Sequence, residues 1–265
     1  MNYLQAVVLG LVQGIAEFFP ISSSGHLVIF RDLFGLGEIP LFFDISLHIA
    51  TLFAVCLIFR ARIAGIAVSL WRLVRGKKTD ADAENLALIL PLLLATVITG
   101  VMGFAIEYFL PAEGARIASF ELLLTAIILA ATAFIKPGQG DYRRLGLGSA
   151  SVIGFAQGLG VFSGISRSGM TIAAAMAVGM RRDLAGEFSF LLSIPAILGA
   201  FLLTLKDAAE VSEAIAPGPL AVAFVTAFLS GIVALSTLVK VIKKGKLAWF
   251  AVYLVPVGLA GLFLL

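Results

Sequence analysis

The sequence predicts an all-α, polytopic membrane protein, with about six transmembrane helices and two re-entrant hairpins arranged as an inverted-topology repeat. Three observations carry the class. Of 265 residues, 60% are hydrophobic and only 13% charged, with a mean hydropathy of +1.07; soluble domains run about 45–50% apolar and about 25% charged. Six apolar runs, near 41–59, 86–106, 117–135, 186–205, 218–239 and 247–265, approach the roughly 20 residues a bilayer requires. These runs are continuous rather than alternating, which argues against a β-barrel. The same composition speaks against disordered and fibrous chains. Nucleic acid is not an expected partner, because the basic residues form short clusters between apolar runs rather than one stripe, despite a pI of about 9.1.

Charge orients the spans. Lys and Arg cluster at Arg60, Arg62, Arg72, Arg75, Lys77 and Lys78, at Lys136, Arg143 and Arg144, at Arg181 and Arg182, and at Lys240, Lys243, Lys244 and Lys246. The alternate loops hold Arg116 and Lys206 beside Glu107, Glu113, Asp207, Glu210 and Glu213. The basic loops are therefore cytoplasmic, and six spans place both chain ends outside. No Lys or Arg precedes Arg31, so no secretory signal is read and the first segment is expected to persist. Cys56 is the single cysteine and allows no intramolecular disulfide.

Two apolar stretches fall outside this count. Residues 3–19 end at Pro20 and a Ser-Ser-Ser-Gly run; residues 147–162 end before Ser166-Arg167-Ser168-Gly169. Both read as re-entrant hairpins, whose irregular backbone must be buried in protein or line a wet cavity. They also resemble each other. Residues 9–26 align without gaps to 153–170, pairing Gly10/Gly154, Gln13/Gln157, Gly14/Gly158, Phe18/Phe162, Ile21/Ile165, Ser22/Ser166, Ser24/Ser168 and Gly25/Gly169. The first copy is entered from outside and the second from the cytoplasm. That makes an inverted repeat, dividing a single membrane domain near residue 135, and such repeats bring their broken elements together at the bilayer midplane. For Gly10, Gly14, Gly154 and Gly158, close helix packing is the preferred explanation.

Ionisable groups at membrane depth are costly unless solvated or paired. Glu17, His26, Asp44 and Arg167 stand out. Arg167, flanked by hydroxyls and glycine amides, suits phosphate oxygens bidentately; the alternative is an internal salt bridge to Glu17 or Asp44. Glu17 lies one turn after Gln13 and can hold a cation, orient a water or balance Arg167. His26, four residues after Ser22 and three after Ser23, is expected to face back toward those hydroxyls as a general base or acid. Asp44 and His48, one turn apart, read as mutual structural support.

The stretch Glu17-Phe-Phe-Pro20-Ile-Ser22-Ser23-Ser24-Gly25-His26 resembles the E-F-L-P-x-S-S-[ST]-G-H motif of the bacterial undecaprenyl-pyrophosphate phosphatases of the bacitracin-resistance (BacA/UppP) type. Gly164-Ile-Ser166-Arg167-Ser168-Gly169-Met-Thr171 resembles their second motif, P-G-x-S-R-S-G-x-T, and Glu187 to Pro195 is similar to the stretch that follows it. The resemblance spans essentially the whole chain. It implies an integral-membrane phosphatase that converts undecaprenyl pyrophosphate to the monophosphate carrier of cell-wall synthesis. It also implies a bacterial inner-membrane location, a site opening outward, and dependence on a divalent cation such as Mg²⁺ or Ca²⁺. Carried over by position, the family's functional residues are Glu17, Ser22, Ser23, Ser24, His26, Ser166, Arg167 and Ser168.

The expected catalytic set is thus Glu17, Ser23, His26 and Arg167. The expected diphosphate-binding set is Ser22, Ser24, Gly25, Ser166, Arg167, Ser168, Gly169 and Thr171. Glu17 is the candidate metal ligand. Two departures are visible: Gln13 stands where the family commonly has a second Glu, and Ser163 where it has Pro. Expected partners are a polyprenyl pyrophosphate and the bilayer, with a homodimer left open. Ser23 or a water beside Glu17 is the expected nucleophile. The rival is a transporter or flippase for an anionic lipid or small anion, since such carriers also use inverted repeats.

Overall fold

The computed structural model describes residues 1–36, 39, 41–109, 114–205 and 215–264, apart from the side chain of Glu107. Glu113, Lys206, Asp207, Glu210 and Glu213 therefore lie outside the described residues. Eleven α-helices follow one another among those described: α1 (Tyr3–Phe18), α2 (Ser23–Leu33), α3 (Leu41–Ile58), α4 (Arg60–Val74), α5 (Ala83–Phe109), α6 (Ala115–Ala131), α7 (Leu147–Leu159), α8 (Arg167–Ala177), α9 (Arg182–Thr204), α10 (Pro217–Lys243) and α11 (Trp249–Leu264). No strand forms among the described residues; one isolated bridge joins Gly140 to Met180.

The chain is an all-α, multi-pass membrane protein. Five segments have the length and apolarity to span: Leu41–Ile58, Asp80–Ile106, Ala115–Phe134, Arg182–Thr204 and Pro217–Lys243. The sixth expected span is α11, a helix of only 16 residues, about 24 Å long. Phe104, Phe109, Leu203 and Val252 are exposed at positions that lipid tails cover in a bilayer. Pro91, Pro195 and Pro256 sit inside helices, which membrane proteins tolerate where neighbours re-satisfy the freed carbonyls.

One expected loop is itself a helix. The basic stretch from Arg60 forms α4, since Arg, Leu and Ala are strong helix formers. Its Ser69 is buried and donates to Asp82 Oδ1 at 2.8 Å. Trp71 and Val74 are exposed on it, a pattern suited to the lipid–water interface.

The leading helix of the first hairpin ends where proline chemistry ends it. Pro20 disfavours a helical residue before it, and Phe19 turns out of α1 with ψ 135°. α1 packs along α10, and α7 packs along α5. Each hairpin thus lies against a long helix of the other half of the chain. Glycine permits the approach. A Cβ on Gly10 would sit 2.5 Å from the Ala223 carbonyl oxygen, and one on Gly154 would sit 2.7 Å from Ala95 Cα. The packing role expected for these glycines is the one they play.

Candidate functional site

The two hairpin tips meet. Ser22 Oγ donates to the Ser163 carbonyl. Ser168 Oγ donates to the Phe18 carbonyl at 3.1 Å. A Cβ on Gly25 would lie 2.9 Å from the Ser163 carbonyl oxygen, so glycine there serves the tip-to-tip contact. Each tip opens a helix in the same way. Ser22 caps α2, accepting from Gly25 N at 3.3 Å, and Ser166 caps α8, accepting from Gly169 N at 3.1 Å.

That capping corrects part of the expected anion site. The amides of Gly25 and Gly169 are spent on their own caps. The orphan donors of each first turn are the next ones back, on Ser23 and Ser24 and on Arg167 and Ser168.

Glu17, at the end of α1, joins the tips. It is 8% exposed. Its Oε1 pairs with Arg167 Nη2. Its Oε2 accepts from Ser23 Oγ at 2.8 Å and from Gln13 Nε2 at 3.1 Å, and lies 3.0 Å from His48 Nδ1. The internal salt bridge weighed for Arg167 therefore forms with Glu17. Asp44 is held instead by Arg31, with Nη1 2.9 Å from Oδ2, so the expected Asp44–His48 pair gives way to two separate partnerships.

His26 is placed differently from expectation. Helix α2 begins within the serine run, so the group one turn before His26 is the Ser22 carbonyl rather than a hydroxyl. His26 Nδ1 lies 2.8 Å from that oxygen, and Nε2 lies 2.9 Å from Tyr253 Oη on α11. A carbonyl only accepts, so Nδ1 carries a proton; when the ring is neutral, Nε2 then accepts from Tyr253 Oη. The two rings also stack.

A narrow, open-mouthed cleft runs beside Glu17, with free space of only about 10 Å³, room for a single water. Its polar lining is Glu17, Thr51, Arg167, Ser168, Ser189 and Ser193, and its apolar lining is Phe18, Val55, Phe190 and Ile197. Of the expected set, Glu17, Arg167 and Ser168 line it. Ser22, Ser23, Ser166, Gly25 and Gly169 are buried at the tip contact, and Ser24 is half-buried. Thr171 stands behind the tip, donating to the Arg167 carbonyl at 2.8 Å and touching Ser189 Oγ.

The residues do not fit a resident divalent cation. Glu17 brings a single carboxylate, and both its oxygens already receive hydrogen-bond donors, one of them a guanidinium. Hard cations want several free oxygen ligands. Gln13 supplies an amide, its buried Oε1 without a hydrogen-bond partner among the described residues. No cluster of three or more His, Cys, Asp or Glu able to hold a metal occurs among the described residues.

Several site residues carry no signal in the motifs. His48 and Tyr253 come from distant helices. On α6, Glu121 and Thr125 hold the second tip, Glu121 Oε2 accepting from Gly164 N at 2.7 Å and Thr125 Oγ1 donating to the Gly164 carbonyl at 2.9 Å. An acidic residue inside an apolar span was the available clue for Glu121.

Comparison with known proteins agrees with this architecture. Residues 6–260 match the model of the family described as bacitracin resistance protein BacA. A protein of Treponema denticola named undecaprenyl-diphosphatase is 44% identical over 259 residues, covering 98% of this chain and 96% of the relative. Proteins of the same name from Desulforapulum autotrophicum and Carboxydothermus hydrogenoformans are 41% and 39% identical, covering 98% and 100% of this chain and 97% and 98% of the relatives. A match across nearly the whole chain, with both serine-glycine tips in place around Glu17 and Arg167, makes this protein a member of the BacA family.

Proposed function

We propose that the protein is an undecaprenyl-diphosphatase that releases inorganic phosphate from undecaprenyl pyrophosphate and returns the monophosphate carrier to cell-wall synthesis. One observation carries the reading: Glu17 joins a hydroxyl from one tip, Ser23, to a guanidinium from the other, Arg167, beside a cleft with apolar walls. The diphosphate reaches Arg167 from the cleft mouth, and the prenyl tail stays along the walls and in lipid. The guanidinium moves from Glu17 Oε1 to phosphate oxygens and neutralises charge on the transferring group. Its departure frees Glu17 to take a proton. Ser23 Oγ already donates to Oε2, so Ser23, or a water in its place, attacks the terminal phosphorus while Glu17 accepts that proton. The bond to the bridging oxygen breaks, and the prenyl monophosphate leaves. If Ser23 is the nucleophile, water then hydrolyses the phosphoserine.

His26 fixes the start of α2 through Tyr253 and the Ser22 carbonyl. The proton-carrying role expected of it requires Nε2 to leave Tyr253. If turnover requires a divalent cation, as the family resemblance implies, the phosphate oxygens of the substrate rather than Glu17 would hold it. Metal titration of the substrate-free protein then finds no tight site, while a chelator lowers turnover. By the positive-inside rule both termini face outward from a bacterial inner membrane, and the family resemblance implies that the cleft opens on the same side.

Purified protein in detergent should release phosphate from a polyprenyl pyrophosphate. A protein that moves the lipid without any hydrolysis would end this reading in favour of a transporter. Rapid quench of active enzyme should trap phosphate on Ser23; an unlabelled Ser23 during active turnover assigns the attack to water.

A further inference from the structure

We infer that Glu121 is a positioning residue for Arg167, acting from α6 through the turn that precedes it; the kinetic half of its test rests on the phosphatase reading. Glu121 is only 7% exposed, in the middle of a helix otherwise suited to lipid and apolar packing. A carboxylate there is expensive without a specific partner. Its Oε2 accepts from Gly164 N at 2.7 Å. One turn further along α6, Thr125 Oγ1 donates to the Gly164 carbonyl at 2.9 Å and accepts from Ser166 N at 3.1 Å. Two side chains on one helix face thus grip three backbone groups of the turn. Arg167 follows directly after, and its guanidinium reaches Glu17.

The internal repeat explains why this tip needs such a grip. At the 144-residue offset, Gly164 corresponds to Pro20 and Arg167 to Ser23. Proline has no N–H to satisfy, and its ring fixes φ. In the second copy glycine removes both features, leaving a buried amide and a looser backbone. Glycine is nevertheless required there, because a Cβ on Gly164 would meet the Ala118 carbonyl and lie 2.5 Å from Glu121 Cβ. Glu121 supplies the acceptor, and with Thr125 it supplies the restraint that proline provides in the first tip.

Two variants separate a hydrogen-bond role from a charge role. Glu121→Gln keeps an acceptor oxygen at the same reach and removes the charge. Glu121→Asp keeps the charge but is one carbon too short. With a polyprenyl pyrophosphate in detergent, Glu121→Gln should keep kcat within about threefold, and Glu121→Asp should lower kcat about tenfold or more with little change in KM. Hydrogen–deuterium exchange over residues 160–168 of the substrate-free protein should accelerate in Glu121→Asp and stay near wild type in Glu121→Gln. Equal loss in both variants, by kinetics or by misfolding, overturns the inference. So does an unchanged Glu121→Asp, or the reverse order. If the wild type releases no phosphate, the phosphatase reading fails by itself, and the exchange pattern still decides the grip.

Discussion

The two hairpin tips share one scaffold and carry different chemistry. Ser22 and Ser166 cap their helices alike, and α2 and α8 begin at Ser23 and Arg167, one repeat apart. At that shared position one copy presents a hydroxyl and the other a guanidinium, and both bind Glu17. Glu17 itself has no acidic counterpart, since Val161 stands at its position in the second copy. The backbones also differ. Ser22 sits at φ 66°, the only non-glycine residue with positive φ among those described, whereas Ser166 has φ −71°. The repeat thus gives two matching helix starts. Differences at single positions then leave a carboxylate and a hydroxyl on one tip and a guanidinium on the other.

The largest break in that comparison is at Arg167. Arg167→Ala removes the cationic half and leaves the buried Glu17 carboxylate without its guanidinium partner, held only by Ser23, Gln13 and His48 on Oε2. Phosphate release should fall about 10³-fold or more, the scale on which an arginine stabilises phosphoryl transfer. The lost partner should also cost about 3–5 kcal/mol of stability, seen as a lower melting temperature in detergent. Arg167→Lys separates the two effects: the charge persists and most stability returns, while the lost bidentate fork keeps turnover well below wild type. Near-normal rates in the alanine variant would refute the charge-neutralising role.

Next in size is the packing behind the tips, where equivalent glycines meet unlike neighbours. A Cβ on Gly14 would lie 2.5 Å from the Ala227 carbonyl oxygen and 2.8 Å from Gly231 N, both backbone atoms of α10. A Cβ on Gly158 would meet Met102, 2.5 Å from its Sδ, and methionine can move aside. Gly14→Ala should therefore cost about 1–3 kcal/mol and Gly158→Ala distinctly less. Equal losses in a thermal melt would mean that α5 is as unyielding as α10.

Much of this was legible in the sequence because the signals are local. Apolar run length located the spans, and the S-x-S-G repeat located both tips. Arg167 and Glu17 announced themselves as charges at membrane depth. What stayed hidden depends on distant contacts or on where a helix starts. His48 and Tyr253 reach the site from α3 and α11, and nothing near them in sequence marks that. The orientation of His26 is not legible in the motif, because α2 starts at Ser23, inside the serine run, which turns a carbonyl rather than a hydroxyl toward the ring. Helix α4 is masked by its basic residues, which resemble a cytoplasmic loop although Arg, Leu and Ala are strong helix formers.

Tyr253 gives a smaller effect that sharpens the contrast at the first tip. Met170 stands at the repeat position of His26, so the second tip has no equivalent of the His26–Tyr253 hydrogen bond. Tyr253→Phe keeps the ring stack and removes only the hydroxyl at Nε2. A single lost hydrogen bond is worth about 0.5–1.5 kcal/mol, so turnover should drop by at most about tenfold, with the melting temperature little changed. A far larger loss of turnover would give Tyr253 a direct part in proton movement.

The smallest effect separates cap from strain at Ser22. A non-glycine residue at positive φ costs on the order of 1 kcal/mol, and a lost serine cap costs about 0.5–2 kcal/mol when alanine replaces it. Ser22→Ala loses the cap and keeps the strain, so both penalties remain. Ser22→Gly also loses the cap, but glycine adopts φ 66° freely and replaces a capping serine at a cost of only a few tenths of a kcal/mol. Glycine should therefore be more stable than alanine by about 1–3 kcal/mol in chemical denaturation. The same pair of substitutions at Ser166, where φ is −71°, should show a smaller gap, because no strain is relieved there. A gap of equal size at both positions would mean that the first tip stores no strain.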